Sequence, residues 1–393
     1  MSRIVFFCIP AHGHTNPTLG VVRELVRRGH EVWYYSYEMM REKIETAGAR
    51  FVACDAYDGE MRLSPKDAAK IGKDLALSTR VLVDTTLALD EMVMAQMKDM
   101  RPDCIVADSM AVWGKAAALK LGVPFVSSTT TFAFNKHSAQ LMKQSPMELV
   151  GMLFSMGKIA KQIARLQEKG YPVKSVLDLI QNDEHTHTVV YTSPQFQPCA
   201  DTFTDRYAFV GPSIRPAQSE FAKRAEKLVY ISMGTVNNDM IPLYRQCVAA
   251  FADAPVQVVI SAGERTDIAA LGALPGNVEV YPQVDQIAVL EKADAFVTHC
   301  GMNSASEALY FGVPLVMLPV TKEQGAVAVR ARQLGAGVYL KKKTAEEIRA
   351  AVDLVLSDPA YRRAAQEIAA GFKACPGAAG AADKILRVIA EGK

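Results

Sequence analysis

The sequence predicts an α/β protein of two similar halves, each a parallel sheet covered by helices. Three observations predict it. Short unbroken apolar runs, such as Ile4-Val5-Phe6-Phe7-Cys8-Ile9 and Leu228 to Ser232, have the pattern of strands buried on both faces of a parallel sheet. Segments with apolar residues at helical spacing alternate with those runs. The alternation breaks off and then restarts near residue 228, so it occurs twice. A chain of 393 residues is also long for a single core, which favours two domains.

In the first half, strand Ile4 to Ile9 runs into the turn Pro10-Ala11-His12-Gly13-His14-Thr15. Asn16 and Pro17 then read as a helix cap followed by proline at the first helical position. Leu19, Val22, Leu25 and Val26 recur at helical spacing, Gly29 stops the helix, and Val32 to Tyr35 is the next strand. That is one βαβ unit within about 35 residues. Strand Phe51 to Ala53, a helical region from about Lys66 to Met100 and strand Cys104 to Ala107 follow, the last delivering Asp108 at its carboxyl end. A helix from Trp113 to Leu121 leads to strand Phe125 to Ser127. Residues 132–182 break the pattern with a methionine-rich apolar segment that includes Leu141, Met142, Met147, Met152, Phe154 and Met156. Methionine suits a forgiving pocket, although a methionine stripe is more often ordinary core. Val189 to Tyr191 and Tyr207 to Val210 read as the closing strands.

Residues 213–227 are polar, charged and proline-bearing, which reads as a linker. The second half opens on strand Leu228 to Ser232, the turn Met233-Gly234-Thr235-Val236-Asn237-Asn238 and a helix from Pro242 to Ala252. Strands Val256 to Ser261 and Val278 to Tyr281 follow, with a short helix from Gln286 to Lys292. Strand Ala295 to Val297 then gives way to Thr298-His299-Cys300-Gly301-Met302-Asn303-Ser304-Ala305-Ser306-Glu307. A strand, a tight polar turn and a helix start make an anion site, because the first helical N–H groups lack partners and carry the positive end of the macrodipole. Gly301 allows close backbone approach, while His299, Asn303 and Ser304 offer side-chain donors; the same residues also suit a plain capped turn. Strand Leu315 to Leu318 ends in a turn carrying Glu323 and Gln324 at another helix start.

Composition narrows the function. Half of the residues are hydrophobic and 22% are charged, as in a globular protein. With 44 basic against 42 acidic residues, the net charge of +2 leaves no electrostatic footprint for nucleic acid. Seven scattered cysteines without a C-x-x-C spacing argue for reduced thiols and a cytoplasmic setting, against a disulfide framework or structural zinc. Ile4 to Ala11 is too short for a signal core, and no apolar run reaches the ~18 residues of a membrane span. His14 and Asp108 both lie at carboxyl ends of strands, where open α/β sheets bind ligands, so they are candidates for a base and the carboxylate that orients it. His12 competes with His14, and each residue alone also fits a turn or cap role. No G-x-G-x-x-G, P-loop or G-x-S-x-G motif occurs, nor any Asp-x-Asp for a divalent cation.

Taken together, these features resemble the GT-B glycosyltransferase superfamily, two Rossmann-like domains facing across a cleft. The closest likeness is the family-1 branch of bacterial macrolide and flavonoid UDP-glycosyltransferases. In the first half the likeness rests on Pro10 to Pro17, Arg28-Gly29-His30 and Pro102 to Asp108. In the second it rests on Ser232 to Thr235, Ala293 to Ser304, Glu307 and Gly312-Val313-Pro314. The resemblance implies an acceptor-binding domain over 1–212, a linker over 213–227 and a nucleotide-sugar-binding domain over 228–375. A last helix within 376–393 would pack back on the first domain.

It further implies that His14 deprotonates an acceptor hydroxyl, that Asp108 orients it, and that the anomeric centre inverts. The donor, a UDP-sugar with glucose as the default, would be a co-substrate, with no cofactor or metal. Gly234, Thr235, His299, Gly301, Asn303 and Ser304 would surround the diphosphate, Glu307 would hold the ribose hydroxyls, and Glu323 with Gln324 those of the sugar. Gln286 matches the glutamine of the nucleoside-binding motif. Where that motif often reads Trp-x-Pro-Gln, this chain has Gln283-Val284-Asp285-Gln286, so the aromatic that stacks on the base is missing. The acceptor would be a hydrophobic aglycone such as a flavonoid, phenol or macrolide, and the protein a monomer or weak dimer without nucleic-acid or membrane partners. A nucleotide-sugar epimerase of the same fold and a non-catalytic nucleotide-sugar-binding protein stand as the alternatives.

Overall fold

The computed structural model describes residues 1–55, 64, 74–138, 146–182, 185–234 and 240–392, with only the backbone given for 146–154. The chain divides into two compact units. One comprises Met1–Tyr191, Asp201–Ser213 and Pro376–Lys393, the other Thr192–Ala200 and Ile214–Cys375.

The first unit is organised by a parallel sheet of β1 (Arg3–Phe7), β2 (Glu31–Ser36), β3 (Arg50–Ala53), β4 (Cys104–Asp108), β5 (Phe125–Thr129), β6 (His187–Val190) and β7 (Tyr207–Phe209). Their order is β3-β2-β1-β4-β5-β6-β7. Alternate residues of β1 serve two cores: Ile4 and Phe6 pack on one face with Leu25 and Tyr34, and Val5 and Phe7 on the other with Leu89 and Met97. Each such side chain, fully buried, contributes roughly 1.5–3 kcal/mol, which explains the unbroken apolar run in the sequence. The chain lays β2 and β3 to one side of β1 and then returns to place β4 on the other. The gap between the carboxyl ends of β1 and β4 is therefore a topological switch point.

The second unit repeats this plan. Strands β8 (Leu228–Ser232), β9 (Gln257–Ser261), β10 (Val278–Tyr281), β11 (Ala295–Thr298), β12 (Leu315–Met317) and β13 (Gly337–Tyr339) are all parallel, in the order β10-β9-β8-β11-β12-β13. Its switch point lies between β8 and β11. The α/β class with two parallel sheets expected from the sequence is what the structure has.

Several elements differ from expectation. The first helix begins at His12 and runs to Arg27, so Asn16 does not cap it and Pro17 lies inside it. Pro17 removes one backbone donor, but so early in the helix the loss is confined to the opening turns, and its ring is buried in the core. The helix read from Lys66 is described from Leu75 to Met100, with Asp74 capping through Leu77 N–H, while residues 66–73 lie outside the described residues. Within 132–182 the backbone forms a helix at Pro146–Glu168 and a short one at Leu177–Ile180. Leu141 and Met142 are outside the described residues, and Met156 is exposed.

The segment read as a linker is bound along the second unit. Lys223 pairs with Asp294 at 2.6 Å, Arg224 N–H donates to Gln257 Oε1 at 2.7 Å, and Arg215 binds Asp285. Its basic residues Arg215 and Lys223 are partners for acids of that unit. Residues 192–200 also belong to the second unit, where Arg330 donates to the Gln195 and Phe196 carbonyls at 2.6 and 3.0 Å. The last helix, Gly377–Glu391, belongs to the first unit. Its Ala381, Ile385, Val388 and Ile389 enter the core beside Leu19 and Val22, and Asp383 pairs with Arg28 at 2.5 Å. No helix among the described residues is long and apolar enough to cross a membrane, and none of the seven cysteines forms a disulfide.

Candidate functional site

In the first unit the chemistry gathers at the switch point. β1 ends at Phe7, and the chain turns through Ile9 and Ala11 into the helix, placing His14 on its first turn. β4 ends on Asp108, whose side chain is fully buried. His14 Nδ1 lies 2.8 Å from Asp108 Oδ2, although 94 residues separate them. Asp108 Oδ1 accepts Met110 N–H at 2.9 Å, so the carboxylate is fixed at both oxygens. Facing an acceptor-only carboxylate, Nδ1 carries the ring proton and Nε2 the basic lone pair. Thr130 Oγ1 is 3.2 Å from Nδ1, a contact that nothing in the sequence pattern pointed to. The imidazole is not in an exposed turn, as its neighbours in sequence suggest; its side chain is 22% exposed. His12 is separate from this pair: it contacts Lys43 at 3.2 Å, and burial together with that ammonium lowers its pKa.

In the second unit the residues following β8 and β11 meet at the equivalent point. His299 is 9% exposed, and burial lowers its pKa, more than its interaction with the Ser232 main chain raises it. Its imidazole sits between two glycines. A Cβ on Gly234 would lie 2.6 Å from Cε1, and one on Gly301 would lie 2.6 Å from Nε2. Gly234 also has φ of +80°, which a side chain disfavours. These glycines thus make room for the ring, a role added to the backbone approach expected of Gly301. Cys300, buried at φ of +62°, turns the chain between strand and helix, its N–H held by Thr298 Oγ1 at 3.1 Å. The helix Met302–Tyr310 then starts with Gly301 at its N-cap, a residue without a side-chain acceptor. Asn303 and Ser304 lie on that first turn, half-buried. Thr235 lies outside the described residues.

One turn further, Glu307 joins a polar network. Gln286 Nε2 donates to Glu307 Oε2 at 2.5 Å and to Ser304 Oγ at 3.3 Å, while Tyr230 O–H donates to Gln286 Oε1 at 3.2 Å. Burial raises the Glu307 pKa, against the Gln286 hydrogen bond and the nearby Arg215 charge. The structure therefore brings Gln286, Ser304 and Glu307 together. Gln283 is exposed and Val284 half-buried in the strand-to-helix turn before them. Asp285, which replaces the motif's proline, is the N-cap of the helix Gln286–Leu290 and holds Arg215.

Gln324 has a structural task. With Thr321 it forms a capping box, its Oε1 accepting Val320 N–H at 2.8 Å and Thr321 N–H at 3.1 Å, so only its amide nitrogen is left for a sugar hydroxyl. Glu323, beside it, is exposed. Thr321-x-x-Gln324 is a legible capping signature in the sequence, and the sugar-binding expectation passed over it.

Comparison with known proteins finds relatives along nearly the whole chain. A family model described as the erythromycin biosynthesis protein CIII-like C-terminal domain matches residues 245–388. The uncharacterized UDP-glucosyltransferase YdhE of Bacillus subtilis (strain 168) is 32% identical over 384 residues, 95% of this chain and 95% of the relative. Demethyllactenocin mycarosyltransferase of Streptomyces fradiae is 32% identical over 399 residues, 98% of this chain and 86% of the relative. Among solved structures, the glycotransferase of kitacinnamycin aligns with a TM-score of 0.86 at 30% identity, covering 99% of each chain.

Proposed function

The chain belongs to the family-1 glycosyltransferases of the GT-B fold, and on that premise we propose that it moves a hexose from a UDP-sugar to a hydroxyl of a hydrophobic small molecule, with inversion and without a metal. The observation that carries the reading is the His14–Asp108 pair at 2.8 Å on a switch point. A pure binding protein has no need of an oriented base there.

In this reading His14 Nε2 takes the acceptor's hydroxyl proton as the oxygen attacks the anomeric carbon. The bond from that carbon to the diphosphate oxygen breaks on the opposite face, and UDP departs. Asp108 stabilises the imidazolium that forms. Charge growing on the leaving diphosphate is met by the start of the helix Met302–Tyr310, by Asn303 and Ser304, and by His299 between Gly234 and Gly301. Preorganised donors of this kind are worth roughly 3 kcal/mol each. Glu307 accepts from the ribose hydroxyls, with Gln286 holding it in place. Glucose as the sugar draws support from the name of one relative, a UDP-glucosyltransferase, while a flavonoid, phenol or macrolide as the acceptor rests on the family resemblance of the sequence.

The test is a mass-spectrometric screen crossing UDP- and TDP-sugars with phenolic and macrolide acceptors. A product heavier by one hexose, with UDP released only when acceptor is present, is the expected result. Donor consumption that ignores the acceptor would point instead to an epimerase and end the proposal.

A further inference from the structure

Asp285 is nearly buried, with a side chain 9% exposed, yet its carboxylate is saturated. Oδ1 accepts Arg215 Nη2 at 2.5 Å, and Oδ2 accepts Gln218 N–H at 2.5 Å and Ser219 N–H at 3.0 Å. Burial pushes its pKa up, but these hydrogen bonds outweigh burial and leave it lowered, so the group is an anion at neutral pH. The next residue is Gln286, whose amide grips Ser304 and Glu307. One segment read as a linker thus fixes the residue from which the nucleoside-binding network begins.

The same guanidinium acts on Glu307. The charged and titratable groups facing that buried carboxylate are Arg215, Asp285 and Tyr230, with the Gln286 amide and Ser304 hydroxyl as its polar neighbours. Asp285 repels a second negative charge there, and Arg215 offsets the repulsion. We propose that Arg215 and Asp285 are positioning residues of the donor site, a charge pair that locks the turn carrying Gln286 and keeps Glu307 able to accept from the ribose hydroxyls. The proposal rests on the reading of Glu307 given above and adds what makes its carboxylate usable. It also gives the departures in Gln283-Val284-Asp285-Gln286 a purpose. At the position where the family motif often has proline, this chain stiffens the turn with an ion pair.

Removing Arg215 takes away the cation that offsets the repulsion of Asp285 on Glu307. Glu307 then holds a proton to higher pH, and a protonated carboxyl has fewer acceptor sites for a diol. The experiment is calorimetric titration of UDP into the wild-type protein, Arg215→Ala, Arg215→Lys and Glu307→Ala, from about pH 6 to about pH 9. Arg215→Ala should bind UDP about tenfold more weakly at the acid end and recover toward the alkaline end. Arg215→Lys keeps the charge without the fork; it should restore affinity and remove the pH slope, which separates positioning from loss of fold. UDP binding by Arg215→Ala that tracks wild type at every pH, while Glu307→Ala loses binding, overturns the proposal alone. Glu307→Ala binding UDP like wild type overturns the donor-site reading as well.

Discussion

His14→Ala is expected to lower kcat by about 10²–10⁴-fold, the usual contribution of a positioned general base, with little change in donor affinity. Measured UDP release with a competent acceptor checks it, and turnover within about threefold of wild type would remove His14 from the mechanism. Asp108→Asn should be nearly as damaging, for a geometric reason. The Met110 N–H, 2.9 Å from Oδ1, will hold the amide oxygen on its side and so turn the amide nitrogen toward His14 Nδ1. A donor in that position forces the ring proton onto Nε2, the atom that has to receive the acceptor's proton. Asp108→Asn with normal turnover would show that the tautomer is set by something else.

The second large effect is expected at Gly301. Alanine there places a methyl 2.6 Å from His299 Nε2 in a ring that Gly234 closes off from the other side. Overpacking of this kind costs about 1–3 kcal/mol, and the imidazole must leave its place to relieve it. Donor KM should rise about tenfold or more while acceptor KM stays level. The decisive comparison is the double variant. If Gly301 matters through the ring, then His299→Ala should make Gly301→Ala nearly harmless, whereas independent, additive losses would contradict the proposed geometry.

Much of this was legible in the chain because the chemistry sits on the most regular elements. β1, β4, β8 and β11 are short apolar runs buried on both faces, and the residues that leave their carboxyl ends are His14, Asp108, Gly234 and His299. What periodicity could not show was which strands become neighbours. That depends on the sheet order, which makes both gaps switch points. Local signals that competed with one another misled in two places. Asn16-Pro17 has the chemistry of a helix start, yet the helix had already begun at His12. The charged run around Arg215 to Lys223 has the composition of a solvated linker, and its partners Asp285 and Asp294 are about 70 residues away, out of reach of any pattern. Thr321-x-x-Gln324, by contrast, was readable as a capping box from the start.

The placement of the helix Gly377–Glu391 in the first unit has a consequence for how the chain is made. Its core positions, Ala381, Ile385 and Val388, complete an apolar layer whose members include Leu19, Val22 and Leu25, which emerge from the ribosome about 360 residues earlier. During synthesis the second unit can therefore close before the first is finished. The earlier-made layer stays open to water, chaperones and proteases for most of the chain's translation. A chain stopped at Cys375 should accordingly be cut readily between residues 1 and 191 under pulse proteolysis while Ile214–Cys375 resists; equal resistance of the two parts would mean that the first unit closes without its last helix.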